Sequence, residues 1–350
     1  MRNFSDIPDL KKIQTPLCPV VDSYLDVYPE SDDIEYCNDA LINTQYGLVL
    51  SKESIIKNSL TEYIWWVPRF GIYSKIEKCA NKEEVIKRED SALLVFSQIN
   101  DSEIDSLPKD ILYVSLLHPH GRYSFGHLFD TLQKIITLIK SSYKERNICF
   151  LLSKTYQVVD FNLYLELLAS DLKYTVRDQN NFKFLKCEEL LILKPPAQPV
   201  MMHSTEYFNF IFNKFYNYYK DTTPSKQISK KLFLTRRIGQ TRCILNQDEL
   251  HNKLEENGIT IIDGTESMLD IFHAFYNATH ICCYHGSLLT NHIFCNDNTI
   301  IFEYCSNKRV DTSIISRYSK PSERYQKLIE TDEKNNAVLD IEEVLSFYTI

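Results

Sequence analysis

In this 350-residue chain, the run His285-Gly286-Ser287-Leu288-Leu289-Thr290-Asn291 is the stretch best equipped to hold an anion. An apolar run, Ile281–Tyr284, precedes it, and a helix is expected from Leu288 to Phe294. A glycine at a strand-to-helix turn lets backbone amides come close to an anion. The first N–H groups of the helix lack intrahelical acceptors and point at it. In an α/β protein a diphosphate is the natural occupant, although strand-Gly-helix turns also occur with no ligand.

Three other groups of residues can do chemistry. Thr235-Arg236-Arg237 follows the apolar run Leu232–Leu234, with Arg242 five residues on. Loops at the carboxyl ends of parallel strands line the ligand crevice, and a guanidinium fork can take two phosphate oxygens at once. The same arginines would also suit a solvated turn. Glu303 closes the apolar run that follows Thr299, where a carboxylate can accept two ribose hydroxyls or be an ordinary strand-end acid. Upstream, Gly126-His127-Leu128-Phe129-Asp130 follows His118-Pro119-His120-Gly121-Arg122. His127 and Asp130 share one face of a starting helix, and either could take a proton from an attacking hydroxyl. Alternatively, Asp130 or Ser124 simply starts that helix. No Asp-x-Asp pair occurs to carry a phosphate-bound Mg²⁺, so no metal or other cofactor is expected.

The elements that must position these residues follow from periodicity. Strands are expected at Ile64–Val67, Ala92–Phe96, Leu112–Leu117 and Ile148–Leu152, with helices over 128–139 and Phe161–Ser170. Lys194-Pro195-Pro196-Ala197-Gln198-Pro199 reads as an extended connector. Beyond it comes a helix over Glu206–Tyr219, whose aromatic stripe reads as core. The strand Leu232–Leu234 is followed by a helix starting at Asn246 with Glu249 and closed by Gly258. Next come the strand Ile259–Ile262, a helix started by Ser267 with Asp270, and the strands on either side of His285. This is a βαβαβαβ series. The expectation is an α/β protein of two Rossmann-like domains facing a central cleft. Residues 1–195 form the first domain, with 1–60 irregular or β-rich, and residues 200–350 the second.

Bulk properties exclude several classes. A formal charge of −8 with no basic stretch argues against nucleic acid. Ten cysteines without C-x-x-C or zinc spacing read as reduced, buried thiols of a cytoplasmic protein. With eight glycines there is no G-x-G-x-x-G, and Gly121 and Gly126 are followed by His127-Leu128 rather than by Lys-Ser/Thr, so neither a dinucleotide fingerprint nor a P-loop is present. The first residues lack an apolar signal region and no run is long enough to span a bilayer, so at most peripheral membrane association is expected.

The ordered set from Leu232 to Glu303 resembles glycosyltransferase family 61. The pieces are the arginine turn, the segment from Arg242 to Asn246 with Glu249, Gly258, the His-Gly-Ser-Leu-Leu-Thr-Asn turn, and the closing Glu303. Gly126–Leu132 is similar to the family's N-terminal His-and-acid segment, and the likeness spans roughly 35–310. Ser287 stands where alanine is usual, Asp270 where glutamine is usual, and the His127–Asp130 spacing is one residue shorter.

The resemblance implies a GT-B fold and an inverting, metal-independent transfer from a nucleotide-sugar. Arg236, Arg237, Arg242, His285, Gly286, Ser287 and Asn291 would hold diphosphate and sugar, and Glu303 the ribose. His127 and Asp130 would be the catalytic base candidates facing a glycan or glycolipid acceptor. The chain looks more like bacterial members that build capsule or lipopolysaccharide from the cytoplasmic side. A non-catalytic nucleotide-sugar-binding relative and a GT-B-shaped nucleotide-sugar epimerase are the alternatives.

Overall fold

The computed structural model describes residues 7–8, 10–12, 34–44, 47–52, 54–56, 59, 95–97, 99–117, 134–152, 161–178, 183–193, 205–236, 242–308 and 323–349. The expected strand Ile64–Val67, the proline connector, His127, Asp130 and Arg237 lie outside these residues. The chain divides into two compact units, residues 19–207 and residues 1–18 with 208–350.

The chain begins with a two-residue strand, β1 (Lys11–Lys12), that belongs to the second unit. In the first unit, β2 (Ile34–Asn43), β3 (Val49–Ser51), β4 (Ser54–Ile55), β5 (Ile104–Ser106), β6 (Leu112–Ser115), β7 (Ile148–Leu152), β8 (Tyr174–Asp178) and β9 (Phe184–Leu193) make one sheet. Its order is β4-β3-β2-β9-β6-β7-β8, with β5 also on β9. The strands β9, β6, β7 and β8 run parallel, while β2 is antiparallel to β9. Every residue of β6 and β7 is buried, as expected of strands covered on both faces. Helix α1 (Phe161–Leu168) precedes β8, and residues 134–139 are helical with Ile135, Ile136 and Leu138 buried.

The expected strand Ala92–Phe96 is corrected at its last two residues, the first three lying outside the described residues. Val95 and Phe96 are helical, and Phe96 packs on Phe184 with ring centroids 5.7 Å apart. A short apolar run carries no periodicity that separates strand from buried helix.

The second unit follows its expected series through α2 (Thr205–Tyr219), β10 (Lys231–Leu234), α3 (Gln247–Glu256), β11 (Thr260–Ile262), α4 (Met268–Asn277), β12 (His280–Tyr284), a 3₁₀ helix (Ser287–Phe294) and β13 (Ile300–Ser306), and then adds β14 (Glu323–Ile329) and α5 (Ile341–Phe347), which the sequence reading did not single out. The sheet order is β1-β14-β13-β12-β10-β11, parallel from β14 to β11, with β1 antiparallel on the edge. In chain order, the parallel strands read 2-1-3-4-5, a doubly wound arrangement whose direction of growth reverses between β10 and β12.

Local signals explain the boundaries. The Ser267 hydroxyl accepts the Asp270 amide at 3.1 Å and starts α4. Gly258 ends α3 with φ of 70°, a left-handed conformation that glycine adopts without penalty. Asn246 does precede α3, but its side chain makes no cap bond. Its amide instead exchanges bonds with the Leu339 backbone, at 2.8 and 3.1 Å.

Strand alternation sorts the two faces of this sheet. Phe233, Cys282, Tyr284, Phe302 and Tyr304 turn to a core shared with Leu250 and Leu254 of α3 and Val344 and Phe347 of α5. Cys283, Glu303 and Cys305 turn the other way. The aromatic stripe of α2 is core, as expected: Phe215 meets Phe294 at 5.0 Å.

Candidate functional site

The strand order reverses between β10 and β12, and doubly wound sheets bind ligands outside the carboxyl ends of the strands at such a point. Arg236 follows the end of β10 and Gly286 the end of β12. The Thr235 amide continues the ladder past β10 by donating to Ile262 O at 2.9 Å. Its hydroxyl lies 3.2 Å from His251 Nε2 on α3, where burial holds that imidazole below its ordinary pKa. The residue before Arg236 is therefore fixed at both backbone and side chain.

From there the Arg236 guanidinium reaches across to Gly286. A Cβ built on Gly286 would lie 3.0 Å from Arg236 Nη2 and 3.1 Å from Nε. Gly286 has φ of −169°, extended backbone open to any residue. The missing Cβ thus leaves the arginine room to lie against the backbone, beside the close approach of amides to an anion expected from sequence.

The helix after Gly286 also differs in kind: Ser287–Phe294 is 3₁₀ throughout. Two side chains bond back onto its carbonyls. Asn291 Nδ2 donates to Leu288 O at 3.0 Å, and His292 Nδ1 donates to Leu289 O at 2.5 Å. Each takes a carbonyl that an α-helix would offer to a later amide. Leu289 N bonds Gly286 O at 3.1 Å, so Ser287 and Leu288 carry the amides that this winding leaves without an intrahelical acceptor.

Asn291 is 1% exposed, its amide nitrogen is spent on Leu288, and its Oδ1 is buried with no partner among the described residues. The side chain expected to touch the ligand is thus tied by its nitrogen to its own helix. Ser287 is half-buried.

Glu303 requires a correction. The strand expected to end at Glu303 runs on to Ser306, so the carboxylate sits mid-strand, opposite Cys283 and Gln326. It is fully buried, and its Oε1 lies 2.7 Å from His285 Nδ1. Tyr304 and Cys305 continue the strand, and a single charged residue within it read as a terminus. The carboxylate expected to meet ribose hydroxyls is here enclosed and paired with the His285 imidazole.

Behind this pair lies a buried polar layer. Cys305 Sγ is 3.9 Å from His285 Nδ1 and accepts from Gln326 Nε2 at 3.2 Å. Arg324 of β14 is fully buried. Burial, assisted by the positive charge of Arg324, pushes the His292 pKa down to about 4. Burial also raises the Cys283 thiol well above its ordinary value, with Glu303 acting in the same direction and Arg236 against it.

His285, Glu303 and Cys305 each offer a ligand atom, all within 4.8 Å of one another, and their N/O/S types suit zinc. A cation there would have to displace the His285–Glu303 bond and the Gln326–Cys305 bond. Asp270, at the family's glutamine position, lies elsewhere. It accepts Ser225 N at 2.7 Å, Ser225 Oγ at 2.6 Å and Ser267 Oγ at 2.8 Å, pinning α4 to the turn before β10.

The order of elements from β10 to β13, the arginine lying against a glycine across the switch point, and the paired His285 and Glu303 form one arrangement. The family model for Glycosyltransferase 61 matches residues 125–302. The chain belongs to glycosyltransferase family 61. It is a glycosyltransferase, which takes a sugar donor and an acceptor as its substrates. No curated protein matches the chain. The family match includes His127, Asp130, Arg236, Arg237, Arg242 and the His285–Asn291 turn, and it ends one residue before Glu303.

Sequence reasoning missed Arg324, Gln326 and Cys305, which build the layer beneath His285. Gln326 lies directly opposite Glu303, while Arg324 and Cys305 stand two positions along β14 and β13, and no motif marks them. Among the described residues no helix is long and apolar enough to cross a membrane. The eight described cysteines are free, seven of them buried.

Proposed function

We propose that this transferase is an inverting, metal-independent enzyme of GT-B type. It would move a sugar from a nucleotide-sugar onto a growing surface glycan of capsule or lipopolysaccharide kind, at the cytoplasmic side of the membrane. The observation that carries this reading is the Arg236 guanidinium lying against Gly286 at the topological switch point, where diphosphates bind in doubly wound sheets.

The chemistry follows from charge. The leaving nucleoside diphosphate gains negative charge as the glycosidic bond breaks. The guanidinium groups of Arg236, Arg237 and Arg242, with the Ser287 and Leu288 amides, stabilise that charge. Each charge-assisted bond contributes roughly 1.5–3 kcal/mol. His285, oriented by Glu303 through Nδ1, carries its lone pair on Nε2 when neutral and donates from both nitrogens when protonated. The proton of the acceptor hydroxyl goes to Asp130 or His127, and in-line attack inverts the anomeric centre.

The test is a thermal-shift and product-release screen against UDP-, GDP- and CMP-sugars, with and without EDTA. One donor class should stabilise the protein equally in both, and should release its nucleotide when a glycan acceptor is added. Donor binding that vanishes with EDTA would overturn the metal-free reading. Conversion of the donor without any acceptor would point to an epimerase.

A further inference from the structure

Arg242 has φ of 65°. A non-glycine residue pays for this left-handed conformation, and it persists only where surrounding structure imposes it. Here the imposing structure is a turn some ninety residues away in sequence. Cys243 N donates to Asn336 Oδ1 at 2.9 Å. Ala337 N donates to Cys243 O at 3.0 Å, and Leu245 N donates to Ala337 O at 2.7 Å. The backbone leaving Arg242 is therefore held on both sides.

The turn is itself rigidly built. Asp332 Oδ1 accepts the amides of Lys334 and Asn336, at 2.8 and 2.7 Å, and its Oδ2 accepts Asn336 Nδ2 at 2.8 Å. These bonds, with the Asn336 amide first among them, hold the Asp332 carboxyl below its ordinary pKa. The same turn grips the strand ends beside the switch point. Tyr284, the residue before His285, donates its hydroxyl to Asn335 O at 2.5 Å. Ser306, at the end of β13, donates to Asn335 Oδ1 at 3.1 Å.

We propose that the Asp332–Asn336 turn is a positioning device for the diphosphate site, in which the Asn336 amide sets the backbone that presents Arg242, and Asp332 sets Asn336. Neither residue touches the ligand. The inference rests on the donor reading given above, in which Arg242 faces the diphosphate.

The interlocking of amide and carboxylate supplies the test. Inorganic pyrophosphate, the part common to diphosphate donors, is titrated calorimetrically into the full chain, and thermal stability is measured for every variant. Arg242→Ala should weaken pyrophosphate binding about tenfold. Asn336→Asp sets two carboxylates against each other, and Asp332→Asn sets two amides against each other. Each should weaken binding by a similar factor, and neither should add to Arg242→Ala. The double variant Asp332→Asn/Asn336→Asp exchanges the two groups and keeps every bond in the turn, so it should recover the affinity.

If Arg236→Ala and Arg242→Ala weaken binding but Asn336→Asp only lowers thermal stability, the positioning inference fails while the donor reading stands. A swapped variant that regains stability without regaining affinity would also overturn it. If neither arginine variant changes pyrophosphate binding, the donor reading fails and the inference goes with it.

Discussion

His285 Nδ1 and Glu303 Oε1 lie 2.7 Å apart, with the two side chains 7% and 0% exposed. In so dry a setting the carboxylate dictates which ring nitrogen carries the proton, and a charge-assisted bond of this kind is worth roughly 1.5–3 kcal/mol. Glu303→Gln keeps the shape and removes the charge. Its kcat/KM should fall about 10- to 100-fold, as should that of His285→Ala, and the double variant should be little worse than either alone. Nucleoside diphosphate release at saturating acceptor measures this. Full activity in Glu303→Gln would show that the pair is only scaffolding.

Gly286→Ala gives a cleaner perturbation. The backbone there is already extended, so the added methyl costs no strain, and its nearest neighbours are atoms of a flexible guanidinium. Arg236 must move by a few tenths of an ångström. Donor affinity should drop about tenfold, equivalent to ~1.4 kcal/mol, with the melting temperature nearly unchanged. Calorimetric titration beside a thermal melt separates the two effects. A variant that unfolds but binds normally when folded would refute the contact as a functional one.

The switch-point arrangement was legible in the sequence because its parts are local. An apolar run, a glycine and a cap residue each announce a strand end or a helix start within a few residues, and Ser267 with Asp270 does so in both sequence and structure. What escaped was side-chain alternation over long range. Glu303 reads as a terminus until Tyr304 and Cys305 are seen to continue β13. Arg324 looks like an exposed residue of a charged strand, yet it is fully buried. Asn246 is a good cap residue by type, but the Leu339 backbone captures its amide first. Such competition is settled by residues that meet only after the sheet has formed.

Stability should fall on mild acidification. The His292 pKa is about 4 in the fold against an ordinary 6.5, so between these values the unfolded chain takes a proton that the folded one refuses. The stabilising contribution is complete above pH 6.5 and fades as pH falls toward 4, with a ceiling of about 3 kcal/mol. His251, His273 and His280, all lowered mainly by burial, act with the same sign. Denaturant unfolding at pH 7, 6 and 5 should show this slope. His292→Asn, able to keep a bond to Leu289 O, should flatten it. An unchanged slope would mean that His292 protonates without cost.

The base can be told from the rest of the machinery by how its loss divides the kinetics. Asp130→Asn or His127→Ala, whichever is the base, should lower kcat by about 100-fold or more while donor affinity stays constant. Equal losses of donor affinity in both variants would place these residues on the donor rather than on the acceptor proton.

Strand β1 pairs with β14, and Ile7 is buried in the same core as Phe233 and Phe347. The ribosome emits Lys12 about three hundred residues before its partner Tyr325. At roughly 5–20 residues per second, that opening segment waits on the order of 15–60 s for the edge it will cover. Translation speed and chaperone occupancy of the nascent chain thus bear directly on whether this sheet is sealed or left open to self-association.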